Sequence, residues 1–155
     1  MSSNAENALA ILKKFEGKED GTSDWHTVDQ PQINLFADAT LDRQFIHVDP
    51  EMAAQTPFGG TVAHGYLTLS LLPQMSYEVL PHDEPGAGMA LNYGLNRVRF
   101  PAPVPSGSRV RGSFVVGAVD EEDWGRQVTM TATIEVEGGG KPVCVAEVVY
   151  RYYRF

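Results

Sequence analysis

From residue 88 onward, four stretches either alternate polar and apolar positions or run together β-branched and aromatic residues, with Pro, Gly and acidic clusters between them. The stretches 88–100, 108–119, 127–137 and 142–153 are predicted strands, and four in succession imply an antiparallel sheet. Residues 127–137 (QVTMTATIEVE) alternate as a half-buried strand does, and Gly138-Gly139-Gly140 marks a hairpin connection. Upstream, 64–75 (HGYLTLSLLPQM) is the most apolar segment, with Leu67, Leu71 and Leu72 on one side. A helix this apolar must be wrapped by the rest of the chain.

The first half predicts smaller elements. A short strand is expected over 25–28, and Asp29 can cap a helix that starts at Gln30 with Pro31 in its first turn. Ile33, Phe36 and Ala37 then share one face. Asp49-Pro50-Glu51 signals a second short helix, and Gly59-Gly60-Thr61 breaks the chain. Residues 5–15 place Ala8, Leu9, Ile11, Leu12 and Phe15 at helical spacing, but the polar, glycine-bearing stretch 17–24 should end that helix. The expected organisation is a helical arm over 1–24 and one α+β domain over 25–155, its antiparallel sheet wrapped around a long central helix.

Composition narrows the function classes. At 155 residues, 43% hydrophobic and 21% charged, the chain suffices for one domain with a real core. A net charge of −8 opposes docking on nucleic acid or on an anionic membrane. The lone Cys144 makes no intrachain disulfide and no thiolate zinc site, which favours a reducing, cytoplasmic compartment. The apolar stretch 8–12 precedes Lys13 and Lys14, whereas an export signal carries its positive charge first. No apolar run approaches the roughly 18 residues that span a bilayer, so a soluble protein is expected.

Two blocks carry the chemistry: residues 36–51 read FADATLDRQFIHVDPE and residues 56–73 read TPFGGTVAHGYLTLSLLP. In order and separation they resemble the MaoC-like (R)-specific enoyl-CoA hydratases, and Gln44-Phe45-Ile46-His47-Val48-Asp49-Pro50 is similar to the branch that includes nodulation-protein-N-like proteins. The similarity extends through 92–111 (NYGLNRVRFPAPVPSGSRVR) and covers most of the chain from Trp25 on. It implies a single hot dog fold. It also implies that Asp42 and His47, with four residues between them, are the catalytic pair. Hydrating an α,β-unsaturated thioester needs a base for a water proton and an acid for the α-carbon, and an Asp/His pair can hold one water between its members. By the same resemblance the backbone N–H of Gly65 polarises the thioester carbonyl, a role suited to the donors at a helix start.

The chain departs from the family pattern twice. Leu41 stands where glycine precedes the aspartate, and Gln44 stands where asparagine is usual; Gln44 keeps an amide and remains a candidate binding residue. Asp49 is accounted for as an N-cap, and His64 as an interior histidine satisfied by a backbone partner.

Residues 86–119 hold Arg97, Arg99, Arg109 and Arg111 and no acidic residue, a local charge of +4. Arginine pairs with phosphates in bidentate fashion, which makes Arg97 and Arg99, sharing a face of a regular strand, candidates for the coenzyme A portion of a substrate. Alternation on a solvated strand face is the plainer account of any one of them. The resemblance implies hydration of trans-2-enoyl-CoA to the (R)-3-hydroxyacyl thioester without metal or redox cofactor. It further implies a homodimer with the acyl tunnel near the interface, and leaves acyl carrier protein open as an alternative carrier. A hot dog thioesterase and a noncatalytic acyl-thioester-binding protein stand as rivals.

Overall fold

The computed structural model describes residues 19–80 and 89–153. Its elements run β1 Glu19–Thr22, β2 His26–Val28, α1 Gln30–Thr40, α2 Phe45–Val48, α3 Pro50–Ala53, α4 Gly65–Ser70, α5 Leu72–Val79, β3 Met89–Arg99, β4 Ser108–Glu122, β5 Gly125–Val136 and β6 Cys144–Tyr153. One antiparallel sheet takes the order β1-β4-β5-β6-β3, and β2 pairs with β4 as β1 does. The four long strands and the strand at 25–28 therefore appear where the hydrophobic pattern predicts them.

Two elements differ from expectation. Glu19–Thr22, within the polar stretch assigned to the arm, join the sheet instead, with Thr22 opposite Ser113 and Gly21 opposite Phe114. An edge strand held by its backbone needs no apolar alternation, so composition gives it no signal. The helix expected over 5–15 lies outside the described residues.

The apolar central helix is present but divided, and it continues past Met75 to Val79. Pro73 has no N–H to return to the previous turn, and Leu71 closes on the Thr68 carbonyl at 3.2 Å. Leu67, Leu72 and Met75 are buried, while Leu71 is half-buried.

The core forms where these helices meet the sheet. Val110, Phe114 and Val116 of β4, Val128, Met130 and Ile134 of β5, and Ala146 and Val148 of β6 enclose Leu67, Leu72 and Met75, with Ile33 of α1 joining them. Each large side chain buried this way contributes roughly 1.5–3 kcal/mol relative to exposure. A Cβ on Gly112 would lie 2.9 Å from the Met75 sulfur, so the missing side chain lets α5 settle directly on β4.

α1 begins as its sequence predicts: the Asp29 carboxylate accepts the Gln32 N–H at 3.0 Å, and Ile33 and Ala37 are buried. It ends at Leu41, whose φ of 64° is left-handed, the conformation that glycine supplies without strain. Among the described residues no helix is long and apolar enough to cross a membrane.

Candidate active site

Asp42 and His47 come together because α1 stops and the chain reverses through α2. The reversal leaves Asp42 exposed in the connecting loop, whereas His47, on α2, is buried with 7% of its surface accessible. His64, the residue before α4, reaches the same place from the other side. One donor atom from each of Asp42, His47 and His64 lies within 4.8 Å of the others.

Hydrogen bonds orient His47 from several sides. Its Nδ1 is 2.6 Å from the Val62 carbonyl oxygen; a carbonyl only accepts, so Nδ1 carries the proton and Nε2 keeps a free lone pair. The Gln30 amide nitrogen donates to the His47 carbonyl at 2.7 Å, and the Thr61 hydroxyl donates to the Gln30 amide oxygen at 2.6 Å. Val62 N–H in turn donates to the Ile46 carbonyl at 3.0 Å, locking the loop before α4 onto α2. Burial lowers the pKa of His47 from its ordinary value of 6.5, and His64 lowers it further; the Val62 hydrogen bond and Asp42 act the other way without cancelling the shift. At neutral pH the imidazole is uncharged, as a general base must be.

Gly65 opens α4, and among the described residues its N–H donates to no other group. A Cβ there would meet the Phe100 ring at 3.1–3.2 Å, so glycine lets the ring lie against the helix start. Phe58, Ala63, Thr68, Val104 and Val143 complete an apolar cavity of about 280 Å³ beside it.

The remaining candidates sit farther out. Gln44 precedes α2 with its side chain exposed and without a hydrogen-bond partner among the described residues. Arg97 and Arg99 face away from the core on β3, opposite Glu147 and Val145 of β6, and Val98 between them packs inward. Neither enters the Asp42–His47–His64 cluster. Arg109 and Arg111 are committed elsewhere, to Glu137 and Glu135, and Arg111 also lies over the Trp25 ring at 4.4 Å. Of the four arginines in the basic stretch, only Arg97 and Arg99 lack an acidic partner among the described residues.

Two histidines and an aspartate are also a donor set that can hold a metal ion. His47 and His64 stack with ring centroids 3.8 Å apart and planes 25° from parallel. One nitrogen of each ring is engaged by a carbonyl, His47 Nδ1 by Val62 and His64 Nε2 by Asp42, which leaves His47 Nε2 and His64 Nδ1 as the nitrogens open to an ion. Sequence reasoning missed Gln30 and Thr61, whose role depends on contacts 31 residues apart.

Comparison with known proteins bears on family and fold. Residues 13–139 match the family model described as MaoC like domain. The 3-hydroxyacyl-thioester dehydratase Z of Mycobacterium tuberculosis is 53% identical over 146 residues, 94% of this chain and 95% of the relative. Nodulation protein N of Rhizobium leguminosarum bv. viciae is 50% identical over 91% of this chain and 88% of its own. Among solved structures, the unliganded R-hydratase PhaJ1 from Pseudomonas aeruginosa superposes with a TM-score of 0.72 at 25% identity, over 90% of this chain and 83% of that one. The shared architecture, a six-stranded antiparallel sheet with a central helix, is the hot dog fold.

Proposed function

This chain belongs to the MaoC-like dehydratase family, and from that premise we propose that it hydrates trans-2-enoyl-CoA to (R)-3-hydroxyacyl-CoA and catalyses the reverse dehydration. The observation that carries the proposal is the pairing of Asp42 with a neutral, buried His47 whose Nε2 is free, with donor atoms no more than 4.8 Å apart. Two groups at that separation can share one water at about 2.8 Å from each. His47 Nε2 takes a proton from this water as its oxygen bonds the β-carbon. The alkene electron pair then moves toward the thioester, whose oxygen is stabilised by the Gly65 N–H, and the α-carbon takes its proton from the Asp42/His47 pair.

The acyl portion enters the cavity beside Gly65 and Phe100. Arg97 and Arg99 hold coenzyme A phosphates, and Gln44 contacts the polar linker. β3 supports a homodimer: among the described residues it pairs with β6 alone, and it exposes Met89, Leu91, Tyr93 and Leu95 along its length, an edge that a second copy of β3 would cover.

The test follows the conjugated enoyl-thioester absorbance of crotonyl-CoA and a longer trans-2-enoyl-CoA. Loss of absorbance without free thiol supports hydration. Release of thiol points to a thioesterase, and binding without either signal to a noncatalytic acyl-thioester-binding protein.

A further inference from the structure

The buried histidine that composition treats as interior packing does have a backbone partner, and the partner is the catalytic aspartate. His64 is 2% exposed, its Nε2 is 2.9 Å from the Asp42 carbonyl oxygen, and its ring stacks on His47. Asp42 has little else to hold it. The preceding residue, Leu41, is left-handed, and the only other hydrogen bond of Asp42 among the described residues is a long one, 3.4 Å from its N–H to the Thr40 hydroxyl.

We propose that His64 is a positioning residue for the reaction, fixing the Asp42 main chain through its Nε2–H. The proposal rests on the assignment of Asp42 and His47 as the reacting pair. Its physical basis is the tautomer. The Asp42 carbonyl only accepts, so Nε2 must carry the hydrogen; Nδ1, buried and without a partner, is then the unprotonated nitrogen. One side chain is thereby bonded to one catalytic residue and stacked on the other. His64 is itself anchored, because its own carbonyl accepts the Thr68 N–H at 3.1 Å and the Thr68 hydroxyl at 3.3 Å at the start of α4. The Phe36 ring also packs against it, tilted by 54° at 4.9 Å between centroids.

Amide substitutions separate positioning from packing. The nitrogen of a glutamine amide falls where His64 Nε2 lies, and that of an asparagine amide falls where Nδ1 lies. In His64→Gln the donor to Asp42 is kept, and kcat should stay within about 5-fold of wild type. In His64→Asn and His64→Phe it is lost, and kcat should fall on the order of 100-fold while KM changes less than about 3-fold, as expected when a reacting group is misplaced but the binding surface survives. Wild-type kcat in His64→Phe, or equal loss in His64→Gln and His64→Asn, would overturn the proposal. Ring-nitrogen NMR of the wild-type protein at about pH 8 decides the arrangement without turnover. An Nε2–H tautomer supports it and an Nδ1–H tautomer overturns it. Wild-type protein inactive on every enoyl thioester would instead sink the functional proposal, leaving the NMR result to judge His64.

Discussion

The Nδ1 of His47 donates to the Val62 carbonyl across 2.6 Å, and this one contact decides which ring nitrogen carries the proton. A loop that precedes the central helix thus sets the tautomer of a residue on α2. The pKa of the same ring is lowered mainly by burial, which fixes the sign of two pH dependences. Hydration needs neutral His47, so kcat/KM should be level above about pH 6.5 and fall only as acid protonates the ring below that ordinary value. A pH–rate profile for crotonyl-CoA hydration checks this. An acid limb centred above 6.5 would contradict it.

Stability should follow the same window. A group whose folded pKa is depressed stabilises the fold above its unfolded pKa, and that contribution is lost as pH falls through the folded value. The thermal midpoint should therefore decline as pH drops below about 6.5, and His47→Gln, which cannot protonate there, should flatten that slope.

Leu41 occupies the left-handed region at a cost of roughly 1–2 kcal/mol that glycine would not bear, while its side chain is exposed and buries little. Leu41→Gly should leave the thermal midpoint unchanged or raise it by a few degrees, since the added freedom of the unfolded glycine offsets part of the relief. Leu41→Val should lower it, because a β-branched side chain tolerates positive φ least.

Gly65→Ala separates packing from chemistry. Alanine favours a helix by up to about 1 kcal/mol over glycine, but its methyl would press on Phe100 at 3.1 Å. These effects oppose each other, and the midpoint should shift little. The carbonyl of the substrate must approach the same N–H, so kcat/KM should fall by about 10-fold or more, measured beside an unchanged melting curve.

Arg97→Gln combined with Arg99→Gln should raise KM for a coenzyme A thioester by about 10-fold and leave that for a truncated thioester without phosphates unchanged. Equal effects on both substrates would remove these residues from carrier recognition. Cys144 is buried, with its thiol pushed up to about 11, and should resist alkylation of the native protein near neutral pH.

Much of this organisation is written in local pattern. The long strands, the Asp29 and Asp49 caps and the apolar 64–75 segment each depend on neighbours within a few residues, so periodicity and capping chemistry expose them. The motif blocks likewise brought Asp42 and His47 to notice. Residues whose meaning lies in distant contacts stayed hidden. Gln30 reads as an unremarkable first-turn residue until Thr61 and the His47 carbonyl meet it, and His64 reads as core until its partner proves to be Asp42. β1 was illegible because an edge strand is held by its backbone. Arg97 and Arg99 stood out along the chain by sharing a strand face, but only the folded sheet shows that Glu137 and Glu135 occupy Arg109 and Arg111.

The roles of Asp42 and His47 are tested by comparing wild type with Asp42→Asn and His47→Gln in hydration of trans-2-enoyl-CoA, with product configuration assigned by chiral analysis. Wild type should give an (R)-3-hydroxyacyl product, and kcat should fall by about 100-fold or more in each folded variant. An (S) product, or either variant turning over at the wild-type rate, would contradict the proposed mechanism.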